Sequence, residues 1–312
     1  MPHKPVLLQE VLQCLNLKPG AFVADGTVGS GGHALEILKA IGPGGRLIGV
    51  DQDPAAISRC RDLLKSFPQA SLHTGNFLCL DKMLEGLNIH SVDAVLLDVG
   101  LSSDQLQEPA RGFSFDAEGP LDMRMDPEAA VSARQLVNRL SEGELEKMFR
   151  EYGQERWAKR FAHGIVNERR VKPLETTGDL ARVISKSLPG GFHASKKARR
   201  PSWARRHPAT RVFQALRIAV NDELGVLERG LPAIWSRIKP GGRFAVITFH
   251  SLEDRIVKNC FRDWSRKGEG RLVTKKPVTP SPEERMGNPR SRSAKLRAIE
   301  KLSGSDPARV PD

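Results

Sequence analysis

The stretch DGTVGSGGH (25–33) sets a run of glycines between an acid, Asp25, and a histidine, His33. Ordering a glycine costs more chain entropy than ordering any other residue, so a loop this rich in them points to close approach of bare backbone to a ligand. Asp51 closes the next apolar run, Asn76 and Phe77 follow the third, and Asp98 closes the fourth. An acid placed like Asp51 can accept hydrogen bonds from both hydroxyls of a ribose. Asn76 and Phe77 can frame an adenine with an amide and a ring. A nicotinamide dinucleotide and S-adenosylmethionine both fit so far, and Asp25 separates them. A diphosphate disfavours a neighbouring carboxylate, whereas S-adenosylmethionine carries a sulfonium and an ammonium and no phosphate. Each residue alone reads as well structurally; their ordered combination favours S-adenosylmethionine.

Asp98, in LLDVGLSSDQL (96–106), would face the methyl group and its acceptor. The lone pair of an exocyclic base amine is delocalised into the ring. A carboxylate accepting its N–H helps free that pair and then takes the proton. The competing reading makes Asp98 a cap of the following turn through Ser102 and Ser103. His33 alone reads as a packed or hydrogen-bonding residue rather than a base. His250, in TFHSLEDR (248–255), reads as part of a helix-entry loop, with Ser251 as N-cap and Asp254 at capping-box spacing. Cys14, Cys60, Cys79 and Cys260 form no C-x-x-C pair. No metal site is expected, and reduced, buried thiols are the reading.

These residues stand at the ends of elements that must position them. AFVAD (21–25), RLIGVD (46–51), ASLHTGNF (70–77) and VDAVLLDVG (92–100) read as strands with their exit loops. HALEILKAI (33–41) and PAAISRCRDLLKSF (54–67) read as helices, the second with Pro54 at its first position. Alternation of this kind means a parallel sheet buried on both faces. From about 104 to 210 the strands stop and helix-like segments follow, among them SARQLVNRLSEGELEKMFREY (132–152). QALRIAVNDELGVLERGLPAIW (214–235) predicts one long helix and GGRFAVITF (241–249) a fifth strand. RSAKLRAIEKL (292–302) fits a closing strand or a short helix equally well. The chain therefore reads as an α/β domain, 1–104 and 211–312, interrupted by a helical, basic domain at 105–210.

The 312 residues are 39% hydrophobic and 28% charged, a globular composition. No apolar run approaches the roughly 20 residues of a membrane helix, and no leader-like segment opens the chain, so a cytoplasmic protein without membrane contact is expected. The net charge of +12 is confined to one segment. Residues 155–217 hold sixteen Lys/Arg against four Asp/Glu, and the remainder is neutral. KKARRPSWARRH (196–207) lies at its centre. Clustering of this density favours RNA or DNA, bound through phosphate contacts and counterion release, over a merely solvated face. Trp203 fits either a base-stacking platform or a buried anchor of the insertion.

HKPVLLQEVL (3–12), DGTVGSGGHA (25–34), DQDPAAI (51–57), DVGLSSDQL (98–106), RGFSFDAEGPLDMRMD (111–126), PATRVFQALRIAVNDEL (208–224), FHSLEDRIVK (249–258) and NPRSRSAKLRA (288–298) follow one another along the chain. In these motifs the sequence resembles the RsmH (MraW) family of bacterial ribosomal RNA methyltransferases. The resemblance implies a Rossmann-like S-adenosylmethionine-dependent methyltransferase with a helical inserted domain. The implied reaction is methylation of N4 of a cytosine in the decoding region of 16S ribosomal RNA, with small-subunit ribosomal RNA or the small subunit as partner. The homodimer is left open. Carried over by motif, cofactor contacts fall on Gly31, Gly32, His33, Asp51, Phe77, Asp98 and Gln105, and Asp98 becomes the catalytic candidate. Many amino-methylating enzymes carry a Pro-Pro-aromatic motif at the fourth strand, where this chain has DVGL. Asp98, or Asp122 or Arg124 of GPLDMRMD (119–126), must then meet the amine. Transfer is expected in line, without a covalent intermediate, leaving Cys79 a packed thiol, and the target base must leave its stack.

Overall fold

A computed structural model describes residues 5–188 and 207–303. Lys196, Lys197, Arg199, Arg200 and Trp203 lie outside the described residues. In chain order the elements are α1 (Leu8–Leu15), β1 (Phe22–Asp25), α2 (Gly32–Ile41), β2 (Arg46–Asp51), α3 (Pro54–Leu63), β3 (Ala70–Thr74), α4 (Leu80–Gly86), β4 (Val92–Asp98) and α5 (Ser103–Gln107). Then come α6 (Ala133–Arg139), α7 (Glu142–Glu151), α8 (Ala158–Val171), α9 (Thr177–Lys186), α10 (Ala209–Asn221), α11 (Glu223–Ser236), β5 (Ile238–Thr248), α12 (Ser251–Arg266), β6 (Gly270–Leu272), α13 (Pro282–Gly287) and β7 (Lys295–Lys301). They form two compact units, Met1–Gly100 with Leu224–Asp312, and Leu101–Glu223.

The first unit is built on a seven-stranded sheet of order β3-β2-β1-β4-β5-β7-β6. β1 to β5 run parallel, whereas β7 pairs antiparallel with both β5 and β6. Both faces of the sheet are covered, which is why β4 is apolar almost throughout. Leu96, Ala245 and Ile247 pack on one side with Val11 of α1 and Ile37 of α2. Val95, Leu97, Phe244 and Val246 pack on the other with Leu231 of α11 and Phe261 of α12. Trp235 and Trp264 stack there, ring centroids 4.4 Å apart. Within segment 292–302, undecided by periodicity, Lys295–Lys301 is a strand because it alternates. Leu296 and Ala298 join the first core and Ile299 the second, while Arg297, on the same side as Ile299, is neutralised by Asp254 at 2.7 Å.

The second unit is helical, as expected, but its long segment is cut. The single helix expected over 132–152 is two, because Ser141 starts a new capping box. Its side chain accepts from the Glu144 amide and Glu144 Oε2 accepts from the Ser141 amide at 2.8 Å. The helix expected over 214–235 is likewise two. Asp222 turns left-handed (φ 47°) and ends α10, and Arg217 closes a bidentate pair with Glu223 at 2.7 and 2.8 Å. Val212, Phe213 and Leu216 of α10 belong to the core of this unit. The sequence puts the junctions at 104 and 210, whereas the two compact units divide the chain at 100 and 223.

Candidate active site

Asp25, Asp51 and Asp98 are the last residues of β1, β2 and β4, three parallel strands ending at one edge. The glycine loop crosses that edge between β1 and α2. Gly31 is left-handed (φ 87°), and a Cβ there would meet Cys60 Sγ of α3 at 2.9 Å. A Cβ on Gly32 would meet Pro5 Cγ at 2.7 Å. On these two sides the bare backbone admits α3 and the N-terminal segment, not open space. Cys60 is no nucleophile. Burial, with Asp25 and Asp51 nearby, pushes its thiol up to about 12.

Asp51 anchors the loop. Its Oδ2 accepts from the Gly29 amide at 2.9 Å, and its Oδ1 accepts from the Asp53 amide at 2.9 Å. Each oxygen keeps a further lone pair for a hydroxyl. Burial lifts this carboxyl to about 6 against those two amides. Asp25 is buried and accepts from the Thr27 amide at 3.1 Å. Burial raises it to about 7, against the Thr27 bond and with Asp51 adding to the rise.

Asp98 is the least compensated of the three. Its amide donates to the Thr27 hydroxyl, but its Oδ1 is buried with no hydrogen-bond partner among the described residues. The side chain as a whole remains 22% exposed. Burial, then Asp25 and Glu253, raises its carboxyl to about 8. Ser102, invoked above as a partner for Asp98, is the N-cap of α5 and accepts from the Gln105 amide. His33 is buried, with Nε2 2.9 Å from the Val6 carbonyl oxygen. A carbonyl only accepts, so Nε2 bears the hydrogen. The other ring nitrogen, Nδ1, then faces Asp98 Oδ2 at 3.7 Å. Asp25, buried, and Asp51 and Asp98, half-buried, set three carboxyl groups at one strand edge, a seat for a cation.

Phe77 opens a short 3-10 turn (Phe77–Cys79), and its ring lies against Gly230 of α11. Asn76 caps that turn by accepting from the Leu78 amide at 2.9 Å, and it donates to Gln52 Oε1 at 3.1 Å. Its amide thus ties the exit of β3 to the exit of β2. Cys79, expected as a packed thiol, is exposed, because the turn points Phe77 inward and the last residue outward. The cap of α12 is also shifted by one residue from expectation. His250, not Ser251, is the N-cap, with Glu253 as its capping-box partner, while Asp254 bonds Lys295 and Arg297 of β7.

Gln105 belongs to the second unit, where its Oε1 accepts from the Ser102 amide at 3.0 Å. In that same unit Arg124 grips Asp122 with two 2.8 Å bonds and donates to the Ala129 carbonyl at 2.8 Å. Burial alone would raise the Asp122 carboxyl; Arg124 outweighs it and holds the group low. Asn221 of α10 accepts from the Met125 amide at 2.7 Å and donates to the Met123 carbonyl at 2.8 Å. Asp122 and Arg124, with Arg134, Gln135 and Glu175, line a pocket of about 310 Å³. Sequence reading missed Thr27, Val6, Leu7 and Glu253. All four lie inside stretches that the sequence singles out, Thr27 in the glycine loop itself.

The sheet order, the reversed last strand, the glycine loop after β1 and the acids ending β1, β2 and β4 define a Rossmann-like methyltransferase. The chain belongs to the MraW methylase family, whose sequence profile matches residues 1–302. It is 47% identical to the ribosomal RNA small subunit methyltransferase H of Heliobacterium mobile, over 96% of this chain and 99% of that one. It is 47% identical to the protein of the same name from Symbiobacterium thermophilum, over 98% and 99%. Among solved structures, an rRNA methylase from Streptococcus thermophilus superposes with a TM-score of 0.43 at 11% identity, over 97% of this chain and 99% of that one. No helix among the described residues is long and apolar enough to cross a membrane.

Proposed function

We propose that this chain is an S-adenosylmethionine-dependent methyltransferase that modifies N4 of a cytosine in the decoding region of 16S ribosomal RNA. The observation that carries the reading is Asp98. It is a half-buried carboxyl group at the end of β4 whose buried Oδ1 has no partner among the described residues, in a row with Asp25 and Asp51. That donor set suits a sulfonium and an ammonium and repels a diphosphate, so the residues fit the cofactor. When bound, S-adenosylmethionine supplies a methyl group on positively charged sulfur. The proposed contacts are Gly31, Gly32, His33, Asp51, Phe77, Asp98 and Gln105.

The chain's own residues divide the work. Asp51 has lone pairs left for the ribose hydroxyls, and it holds the loop in place through Gly29. Asp25 and Asp98 offset the positive charge of the bound cofactor. Asp98 accepts an N–H of the cytosine amine, which frees the nitrogen lone pair, and then takes the proton. The helical domain, with the basic segment 155–217, grips RNA phosphates and fixes the register of the target base. The names of the curated relatives support ribosomal RNA as the substrate. Nucleoside analysis of small subunits labelled with tritiated S-adenosylmethionine tests the reading. Label in N4-methylcytidine is expected; label at C5, or none, contradicts it.

A further inference from the structure

The segment before α1 is held in an unusual way. Leu7 is fully buried yet left-handed (φ 54°), a backbone conformation that a branched apolar residue keeps only when its surroundings impose it. Its amide donates to Glu284 Oε1 of α13 at 2.8 Å, across most of the chain. Pro5 packs on Gly32 at the start of α2. Between them, the Val6 carbonyl accepts from His33 Nε2 at 2.9 Å. Glu284 is itself set by the first turn of α13, where its amide donates to Ser281 Oγ at 3.1 Å.

This strap decides which face of the imidazole meets Asp98. With Nε2 committed to a carbonyl, Nδ1 is the nitrogen that titrates, and it lies 3.7 Å from Asp98 Oδ2. Among the described residues, the charged groups that face Asp98 from the elements of its own unit are Asp25 at the end of β1, Glu253 in the first turn of α12, and His33. Glu253 in turn has His250 Nε2 at 3.0 Å. Among the described residues of that unit, His33 is a basic group that pairs with Asp98. Two acids oppose ionisation of Asp98 and one imidazole favours it.

We propose that His33 and Asp98 form a functional electrostatic pair, with the Val6 carbonyl fixing the imidazole and Glu284, through Leu7, fixing Val6. The inference rests on the role given to Asp98 above. A proton on Nδ1 favours the carboxylate form of Asp98, the form a base requires, against the rise that burial, Asp25 and Glu253 impose. As the amine nitrogen forms the new C–N bond with its lone pair, the sulfur keeps the electron pair of the broken C–S bond. The N–H proton then passes to Asp98, and His33 keeps the proton it already holds. Glu284 is a positioning residue: it touches none of the reacting atoms and acts through Leu7, Val6 and His33.

The direct test is proton NMR titration of the histidine Cε1–H resonances in the full chain without cofactor. An opposite charge at this range shifts a titration by about 1–3 pH units. The His33 midpoint in the unaltered chain should lie at least about one unit above that in Asp98→Asn. Glu284→Ala should lower it toward the Asp98→Asn value, and Glu284→Gln should restore it, since the amide oxygen still accepts from Leu7. His33→Gln, which can still donate to Val6 but cannot carry a positive charge, should move the acid limb of kcat up by about one pH unit. A purely structural role would lower the melting temperature of Glu284→Ala and leave the His33 midpoint in place. Equal His33 midpoints in the unaltered chain and Asp98→Asn overturn the pairing, and an unmoved midpoint in Glu284→Ala overturns the role of the strap. Full activity of Asp98→Asn would instead refute the role of Asp98 in the proposed function, with the NMR result standing apart from it.

Discussion

The Gly29 amide donates to Asp51 Oδ2 at 2.9 Å, fastening the glycine loop to the end of β2. One carboxylate therefore has two tasks, holding the loop and offering lone pairs to a ribose. Asp51→Ala removes both. A hydrogen bond to a charged group contributes roughly 1.5–3 kcal/mol, so S-adenosylmethionine affinity should fall by about tenfold or more. Isothermal titration measures it; an unchanged dissociation constant would remove Asp51 from the cofactor site.

Burial raises Asp25 to about 7, Asp51 to about 6 and Asp98 to about 8, all above the ~3.9 of an unfolded chain. Groups raised in this way contribute stability that is full below the unfolded value and lost as pH climbs through the folded one. The ligand-free protein should therefore melt at lower temperature at pH 8 than at pH 5, and the drop should be smaller in Asp98→Asn. A cationic ligand favours the ionised forms, so S-adenosylmethionine binding near pH 6.5 (about midway in this range) should release protons. Calorimetry in two buffers of different ionisation enthalpy checks this. Proton uptake would contradict the acid seat.

Asn221 of α10 bonds the Met125 amide and the Met123 carbonyl, and Met123 itself is left-handed (φ 62°). Asn221→Ala strands both backbone groups, at about 1–3 kcal/mol each. Urea unfolding should show a loss of a few kcal/mol for this variant, and less for Asn221→Asp, which retains the acceptor. A loss below about 0.5 kcal/mol would mean that the 123–125 segment is held by other contacts.

The strand ends and their acids were legible in the sequence because each follows an apolar run cut short by a turn, and a parallel sheet needs little else to be read. The breaks at Ser141 and Asp222 were not, since apolar periodicity continues through both while a capping box and a left-handed residue stop the helices. His33 looked ordinary because its partner, Val6, lies 27 residues away. The Leu7–Glu284 bond spans 277 residues, and nothing local in either segment announces it. The N-cap of α12 was misplaced by one because His250 is seldom weighed as a capping residue beside a serine.

The basic segment allows a separate check on the RNA side. Neutralising Lys196, Lys197, Arg199 and Arg200 should weaken binding to 16S ribosomal RNA and flatten its salt dependence, by a slope of about 3 if all four meet phosphates. Affinity for S-adenosylmethionine should not change. Filter binding across a salt series measures both slope and affinity, and an unaltered slope would make the cluster a solvated face.

The proposed chemistry depends on Asp98, and single-turnover methyl transfer to small ribosomal subunits at saturating tritiated S-adenosylmethionine is the sharpest test of its role. The unaltered chain should deposit label in N4-methylcytidine. Asp98→Asn should deposit about a hundredfold less or lower still, the usual range for loss of a proton acceptor, while still binding RNA. Transfer by Asp98→Asn at the unaltered rate, or label in any other nucleoside, would contradict the account.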